Sequence, residues 1–339
     1  MTSTEIALAY IRANLHASKR SIGKVLSEKY PEIWHSQESG RSVVKRLAPL
    51  IPEYNPKINC SNHQRILIKD PFVGDILPHI KTLPKVLLLD IETAPILLYS
   101  WGLFKPHLTH DNIVRDWFML SWAAKWLHRP DVFSDVVTTS EAMLGNDKRI
   151  CESVFKLMEE AEVIIAHNGK RFDIRKIQAR FLIHGIPRPS PFQVIDTLLE
   201  SRKNFAHSSH RLDYLGQILV RREKLETDYK LWKKCLQGCQ ESLNYMDEYC
   251  RNDIFLLEDV YMEIRGWIKS HPNMNLYVET DVPVCPTCAS DKLDYCGEYV
   301  TMAGAFRSFR CGTCGSIGRE RKSSLTPKDR DRLRLSVAR

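Results

Sequence analysis

A short apolar run that ends in two acidic residues places the strongest limit on how this chain can fold. The run VLLL at 86–89 leads directly into Asp90, Ile91 and Glu92. A continuous apolar run of this length predicts a central strand that is buried on both faces. Residues two apart in a strand point to the same side, so both carboxylates face one site at the strand's C-terminal end. A divalent cation would relieve their mutual repulsion, although an exposed acidic turn fits the same short pattern.

Apolar strands and helical segments alternate through residues 84–268, which predicts an α/β domain. Buried or partly buried strands are expected at 113–127 (one or two strands), 163–166 and 194–196. Helical spacing of apolar residues follows at 151–160, 173–184 and 241–267. Three tryptophans are expected to fill the core of this domain: Trp101, Trp122 and Trp126.

Two more acidic residues stand beside these apolar segments. Asp173 ends the sequence AHNGKRFD at 166–173, in which Asn168 suits a sharp turn after a strand. Asp173 can point back over the strand ends, or it can be an ordinary N-cap. Asp253 follows Tyr249 by one turn of the long helix, close to its apolar stripe, where an unpaired carboxylate is costly. The alternative for Asp253 is a half-exposed acid at the edge of that stripe.

These segments together resemble the three exonuclease motifs of the DEDD (DnaQ-like, RNase H-like) superfamily. The matching motifs, in the family's order, are D-x-E at 90–92, N-x-x-x-F-D at 168–173 and Y-x-x-x-D at 249–253. Further similarity lies in VIDTL at 194–198 and RLDYL at 211–215. Position 248, where the histidine subtype would need its His, is Glu, so the chain resembles the tyrosine subtype (DEDDy). The resemblance implies an RNase H-like α/β fold, a mixed sheet flanked by helices.

The resemblance also implies a metal-dependent 3′→5′ exonuclease that hydrolyses phosphodiester bonds and releases nucleoside monophosphates. Two Mg²⁺ or Mn²⁺ ions would activate a water and stabilise the leaving oxygen, and Tyr249 would position that water. Asn168 and Phe172 would hold the 3′-terminal nucleotide, although Phe172 equally suits core packing. Asp196 is expected to orient the site without touching the ions. The implied metal ligands, all hard oxygen donors, are Asp90, Glu92, Asp173 and Asp253.

Four cysteines near the C-terminus form two pairs with metal-ligand spacing. The pairs C-x₂-C are separated by residues 289–310, a spacing that fits a zinc ribbon. Such a small unit has too little core to fold without its ion, and reduced, unbound cysteines are the alternative. Cys296, between the pairs, is not expected to be a ligand. The predicted ligands of one structural Zn²⁺ are Cys285, Cys288, Cys311 and Cys314.

Basic residues concentrate at both ends of a chain whose net charge is +8. Residues 1–60 hold nine Lys/Arg against five acids, and residues 303–339 hold ten against three. This distribution suits a polyanionic partner, or serves solubility alone. In the ribbon, aromatic and arginine side chains interleave and are expected to contact nucleic acid, unless the rings only pack the ribbon. These residues are Phe306, Arg307, Phe309 and Arg310.

Three helices are predicted in the N-terminal segment, with Ser21 as cap of the second. Val43, Val44 and Leu47 give the third helix an apolar face, with basic residues on its other side. The arrangement is similar to a helix-turn-helix module, while a three-helix packing or partner-docking unit fits equally well. The predicted domains are a helical unit (1–56), a linker (57–83), the RNase H-like exonuclease domain (84–270), the zinc ribbon (283–321) and a basic tail (322–339) that is disordered or folds on binding.

The expected partner is nucleic acid, single-stranded DNA first and RNA as the alternative, because phosphate chemistry is common to both. No apolar run reaches the length of a membrane span, and a cytoplasmic protein is expected, with a layout that resembles stand-alone nucleases of phages and some prokaryotes. His207 and His210 are taken as surface residues that could reach a phosphate. The rival function is a regulatory nucleic-acid-binding protein on a catalytically silent RNase H-like domain. The intact set of four acids and a tyrosine argues against that rival.

Overall fold

The structure of the protein is a computed structural model that describes residues 3–13, 19–31, 33–48, 51, 84–104, 107–221 and 225–334. The predicted linker at 57–83 lies outside these residues. The chain divides into two compact units, one with the N-terminal helices and one with the central sheet and the C-terminal cysteines. Within the described residues, no helix has the length and apolar character needed to span a bilayer.

The N-terminal unit contains three helices, as the sequence predicts: α1 (Ser3–Ala13), α2 (Lys19–Lys29) and α3 (Gln37–Leu47). Apolar side chains from all three helices, among them Tyr10, Ile22 and Val44, are fully buried together. Because α2 begins at Lys19, Ser21 lies inside the helix and the prediction that it caps α2 is wrong. In the same unit, Ser36 caps α3. Its hydroxyl accepts a hydrogen bond from the Ser39 N–H at the start of that helix.

The second unit is built on a five-stranded mixed sheet in the order β5-β4-β1-β6-β7. The central strand β1 pairs antiparallel with β4 and parallel with β6. A separate small hairpin, β2 with β3, leaves the sheet between β1 and β4. The strands are β1 (Val86–Thr93), β2 (Leu97–Leu98), β3 (Ile113–Arg115), β4 (Met119–Trp126), β5 (Val132–Val136), β6 (Val163–Ala166) and β7 (Gln193–Asp196).

Helices cover the sheet and enclose two apolar cores. One core contains side chains of α5 and α6, and the other contains side chains of α10, so the continuous apolar runs of β1 and β6 are buried from both sides. The helices are α4 (Thr139–Leu144), α5 (Lys148–Glu160), α6 (Asp173–His184), α7 (Thr197–Asn204), α8 (Leu212–Leu215), α9 (Tyr229–Leu236) and α10 (Gln240–Ile264). A π-helical turn, Gly216–Val220, extends α8, and a 3-10 turn, Arg265–Trp267, ends α10.

The three tryptophans expected in the core behave differently. Trp122, on β4, is buried, and its indole N–H donates to the Ile150 carbonyl. Trp126 is partly buried against the same core. The prediction for Trp101 is wrong, because this side chain is fully exposed. Trp101 follows β2 in the small hairpin segment outside the main sheet, so strand and helix patterns of the domain do not apply to it.

Next to the C-terminal cysteines lies a three-stranded antiparallel sheet, in the order β10-β9-β8, whose middle strand ends at Cys311. Its strands are β8 (Leu293–Thr301), β9 (Gly304–Cys311) and β10 (Ile317–Arg319). The following segment is more ordered than the sequence predicts. The Ser324 N–H donates to the Ala305 carbonyl, and Thr326 caps a short helix, α11 (Pro327–Arg332). Ser323 and Ser324 are therefore hydrogen-bonded to β9 of the ribbon. Residues 335–339 lie outside the described part of the chain.

The cysteine ribbon is fastened to the end of α10. The Met274 N–H donates to the Pro286 carbonyl over 2.7 Å, and the Asn275 side-chain amide donates to the Val284 carbonyl over 3.0 Å. Val284 and Ala289 are buried in the same apolar core as α10. The ribbon and the domain built on the five-stranded sheet consequently share one core, which couples their stabilities.

Gly266 lies at the closest approach of these two parts. A Cβ atom at this position would sit 2.2 Å from the Cys314 carbonyl oxygen, a backbone atom that cannot rotate away. We expect Gly266→Ala to lower the free energy of unfolding by about 1–3 kcal/mol, the usual range for overpacking, although alanine is the better helix former. Urea unfolding would measure the loss. Gly102→Ala is the matched control, because a Cβ there meets nothing within 4 Å; equal stability of both variants would contradict the close packing of ribbon and helix.

Candidate functional site

Asp90 and Glu92 project from the centre of the sheet towards α10. Strand alternation places them on the same face as Val86 and Leu88, which are buried in the α10 core. Within the sheet, Asp90 is paired with Ala123, and the register of β1 shifts just after Glu92. Such irregularities often re-aim a side chain at the edge of a sheet. Two acids are thereby held on a rigid strand beside an apolar core.

Helix α10 brings a third acid to this pair. Asp253 and Tyr249 lie one turn apart on its buried face, and both are at most 5% exposed. Carboxylate oxygens of Asp90, Glu92 and Asp253 all lie within 4.8 Å of one another. The alternative for Asp253, a half-exposed acid at the edge of the stripe, is therefore wrong. Three acids this close repel one another, and a cation among them would lower that energy.

Asp173 is held against the same strand by a backbone hydrogen bond. It is the first residue of α6, whose N-cap is Phe172, so the N-cap interpretation of Asp173 is wrong. Its Oδ1 accepts from the Ile91 N–H over 3.2 Å, between the two acids of β1. Burial raises the pKa of Asp173 to about 7, more than the backbone hydrogen bonds lower it, and the charge of Asp196 raises it further. Asp173 lies outside the compact trio but lines the same cleft.

The turn before α6 is shaped by Asp196, at the end of β7. Asp196 accepts hydrogen bonds from the Asn168 N–H over 3.1 Å and from the Lys170 N–H over 3.0 Å, and it also caps α7. Asn168 has a φ of 70°, in the left-handed region that asparagine tolerates. A Cβ on Gly169 would lie 2.4 Å from that of Ala166. The predicted sharp turn is confirmed, and Asp196 holds it by these hydrogen bonds. That Asp196 thereby orients a metal site stays a prediction.

One cleft of about 1180 Å³ joins these residues. Its walls include all four acids, Tyr249, Asn168 and Phe172. Phe172 is half-buried, packs against the core and still borders the cleft, so packing and a role at the cleft are compatible. The structure thus brings every acid of the sequence-predicted set to one cavity, with three of them in direct proximity.

Sequence reasoning gave no role to three residues in or beside the cleft. Trp232, on α9, packs its ring against Tyr249 at 78° with 6.3 Å between ring centroids, and it steadies that side chain. Arg202 and Arg211 border the cleft, together with His210, which was expected to be a surface residue that could reach a phosphate. The RLDYL similarity at 211–215 marked this segment without giving it a role. Trp232 had no sequence signal, because its contact joins two helices.

The four cysteines of the ribbon also form one cluster, with their Sγ atoms all within 4.8 Å. Both knuckles have the same backbone geometry. The Thr287 and Thr313 N–H groups donate to the Sγ of Cys285 and Cys311 over 3.4 Å. The turn closes at a residue with positive φ, which is Ala289 in the first knuckle and Gly315 in the second. Four thiols converging in this way match the donor set of a tetrahedral zinc site.

The aromatic and arginine residues of the ribbon divide into two groups. Phe309 is buried, and Gly318 packs against its ring, so it packs the ribbon and cannot stack on a base. Phe306 is half-buried, and the Arg319 guanidinium lies 4.0 Å from its ring centroid. Arg307 and Arg310 are exposed. Only Phe306, Arg307 and Arg310 of the predicted contact residues remain accessible.

A further cluster of possible metal-ligand side chains in the second unit has a structural explanation. Asp147, Cys151 and His184 have ligand atoms within 4.8 Å of one another. Arg180 donates to both carboxylate oxygens of Asp147, at 2.6 to 3.0 Å, and His184 lies 2.6 Å from the same group. The buried carboxylate is therefore already neutralised by a fixed cation. This cluster joins β4, α5 and α6 through hydrogen bonds of Asp147 to Met119, Arg180 and His184.

Comparison with known protein families agrees with the architecture. A family model of the RNase H superfamily matches residues 132–265, which include Asp173, Tyr249 and Asp253. No curated protein sequence matches the chain. The match and the mixed five-stranded sheet flanked by helices confirm the RNase H-like α/β fold that the sequence predicts. A domain of this kind indicates a nuclease-type activity on nucleic acid.

Proposed function

We propose that the protein is a metal-dependent 3′→5′ exonuclease of the DEDD superfamily, tyrosine subtype. One observation carries the proposal: carboxylates of Asp90, Glu92 and Asp253 converge within 4.8 Å, in a cleft that Asp173 and Tyr249 also line. Strands and helices position all five residues, so the constellation is fixed before substrate binds. The acids come from β1, α6 and α10, the three elements at which the family's motifs occur.

The donor set fits divalent metal ions. All four candidate ligands are carboxylates, the hard oxygen donors that Mg²⁺ and Mn²⁺ take. Burial raises the pKa of Asp173, and a cation bound beside it would favour its charged form. When bound, two such ions supply an activated water and charge stabilisation at the leaving oxygen. The proposed ligands are Asp90, Glu92, Asp173 and Asp253.

The protein's own groups have distinct tasks in this proposal. Tyr249, steadied by Trp232, orients the attacking water with its hydroxyl group. Asp196 holds the turn that carries Asn168, so that this residue and Phe172 can hold the 3′-terminal nucleotide. Positioning of this kind lowers the barrier because the water and the phosphate no longer need to be brought together in the reaction step.

The flanking parts are proposed to hold the nucleic acid. The ribbon would bind one structural Zn²⁺ through its four cysteines and present Arg307 and Arg310 to phosphates. In the N-terminal unit, α3 exposes Arg41, Lys45 and Arg46 on the side away from its core. This unit would then act as a helix-turn-helix module, with α3 against a duplex.

Cleavage of end-labelled nucleic acid tests the proposed activity. With 5′-labelled single-stranded DNA and Mg²⁺ or Mn²⁺, we expect a ladder that shortens from the 3′ end and releases nucleoside monophosphates. EDTA should abolish the ladder, and double-stranded DNA and RNA of the same sequence, run in parallel, rank the substrates. Internal fragments as first products would indicate an endonuclease. Tight binding without cleavage of any substrate would favour the regulatory nucleic-acid-binding protein.

A further inference from the structure

The cleft that contains the acids has a basic border which takes no part in the proposed metal chemistry. Three side chains, here called the basic rim, line the cleft together with the acids: Arg202, His210 and Arg211. Arg202 belongs to α7, and the other two belong to the loop that leads into α8. Arginine cannot ligate a metal ion, and its guanidinium is suited to phosphate oxygens.

Hydrogen bonding and ring packing hold His210 and the loop that carries it; the His210 ring lies 5.8 Å from the ring of His207. His210 Nδ1 lies 2.8 Å from the hydroxyl of Ser201, a buried residue in the middle of α7. With serine as the donor, the ring proton is on Nε2, which makes His210 a neutral hydrogen-bond donor. The His207 ring stacks on Phe205 at 5.3 Å, and Phe205 packs edge-on against Trp267. The loop is thereby attached to α7 and to the end of α10.

The two arginines are available at the surface of the cleft. Arg202 is exposed. The Arg211 Nε lies 3.5 Å from Asp213, but its side chain is 81% exposed, so this pair contributes little energy. Positive charge beside a strongly acidic trio suits a ligand that reaches both. A polynucleotide strand is such a ligand, because it carries a phosphate on each side of every nucleoside.

We infer that the basic rim binds a phosphate of the substrate strand other than the phosphate being cleaved. The inference rests on the proposed nuclease function and names its substrate class. The rim distinguishes a strand of two or more phosphates from a diester with a single one. Arg202, His210 and Arg211 are positioning residues in this scheme, since they hold the strand while the acids act at the scissile bond.

Kinetics on two substrates separate this role from a general structural one. The substrates are a single-stranded oligonucleotide and the p-nitrophenyl ester of thymidine 5′-monophosphate, which has one phosphate. For Arg202→Gln we expect kcat/KM on the oligonucleotide to fall about tenfold or more, mainly through KM, as for loss of a charged hydrogen bond. The rate on the single-phosphate ester should be unchanged. His210→Ala and Arg211→Gln should show the same pattern with smaller effects.

A matched control and a second readout make the test decisive. Lys203→Gln removes the same charge one residue along α7, at an exposed side chain that does not line the cleft, and should change neither substrate. Oligonucleotide binding is measured by fluorescence anisotropy without added Mg²⁺ or Mn²⁺, at several salt concentrations. The slope of the logarithm of the binding constant against that of the salt concentration should be smaller by about 0.7 in Arg202→Gln, the value for one phosphate contact on a single strand.

The outcomes of the two proposals can be told apart. If Arg202→Gln lowers both rates equally, or binds the oligonucleotide with the wild-type salt slope, the basic rim does not bind a second phosphate. If the wild type cleaves neither substrate, the proposed nuclease function fails. The anisotropy measurement needs no cleavage, so it then still decides whether the rim contacts a phosphate of the strand.

Discussion

Replacing Asp90 by Asn is expected to lower the rate of cleavage by about 10³-fold or more, with the fold intact. The side chain keeps its size and loses the charge that the proposed metal site requires. Stabilisation of the reacting phosphate by bound ions is worth several kcal/mol, and each 1.4 kcal/mol corresponds to about a tenfold change in rate. Quantifying the 3′-shortening ladder with equal amounts of the two proteins measures the loss.

Thermal unfolding gives an independent readout of the same substitution. Because three carboxylates lie within 4.8 Å, removing one charge should leave the metal-free protein as stable as the wild type or more stable. Added Mg²⁺ or Mn²⁺ should raise the Tm of the wild type, since a ligand at 100 times its Kd stabilises by about 2.7 kcal/mol. The Asp90→Asn variant should show a much smaller rise.

Glu226→Gln is the control for this experiment. Glu226 lines the same cleft and is exposed, but it is not part of the compact trio. Its neutralisation should leave the rate within about threefold, as expected for a surface charge. If Asp90→Asn and Glu226→Gln lose activity to the same degree, the cleft acts through its general charge and the proposed metal site is wrong.

The parts of the fold that could be predicted from the sequence are those in which local pattern and burial agree. The run at 163–166 becomes β6 and the segment 173–184 becomes α6 with the same bounds. Both are buried or amphipathic over their whole length, so their periodicity is uninterrupted. The segment 113–127 was harder, because its strands β3 and β4 are separated by Asp116 to Phe118 and belong to different sheets.

Residues whose role depends on contacts between distant elements could not be predicted. Trp101 is a large side chain of the kind that fills protein cores, but among the residues that the structure describes it is fully exposed. The arginines on either side of Phe309 suggest an exposed ring, whereas the side chain of Phe309 is buried in the ribbon. Two residues of the basic rim, His210 and Arg211, lie in a polar loop without periodicity, and the third, Arg202, lies on α7. The place of the rim beside the acids is set by the packing of α7 and α10 against the sheet.

The candidate site itself was predictable because strand and helix geometry act locally. The two-residue spacing of Asp90 and Glu92 and the four-residue spacing of Tyr249 and Asp253 each fix one shared side. Their convergence required the sheet to place β1 beside α10. The resemblance to a family supplied that arrangement, and the structure agrees with it for Asp253 and, less tightly, for Asp173.

Removal of zinc is expected to unfold the ribbon, the second large effect. The ribbon has three strands and few buried side chains, among them Ala305 and Phe309, so its own core cannot hold it together. Structural zinc sites in small domains contribute roughly 10 kcal/mol or more to folding. We therefore expect Cys311→Ser to lose zinc and the ordered ribbon, and elemental analysis of the wild type to give one zinc per chain.

Loss of the ribbon should also lower the stability of the nuclease-type domain. Val284 and Ala289 are buried in the core that contains Tyr261 and Ile264 of α10, and Gly266 touches the Cys314 carbonyl. Exposing this shared surface should lower the Tm of the second unit in Cys311→Ser by several degrees, since about 1 kcal/mol shifts the Tm of a domain this size by roughly 2–4 °C. A strong zinc chelator should reproduce the shift in the wild type.

Cys296→Ser separates metal binding from cysteine chemistry in general. Cys296 is exposed on β8 and lies outside the four-cysteine cluster, so its replacement should change neither zinc content nor Tm. A wild-type protein without zinc would contradict the proposed ribbon site. A Cys311→Ser variant that loses zinc and keeps the Tm of the wild type would instead show that the ribbon folds and unfolds without consequence for α10. The position of α10 would then depend on the sheet alone, and the proposed role of the ribbon would be limited to contacts with nucleic acid.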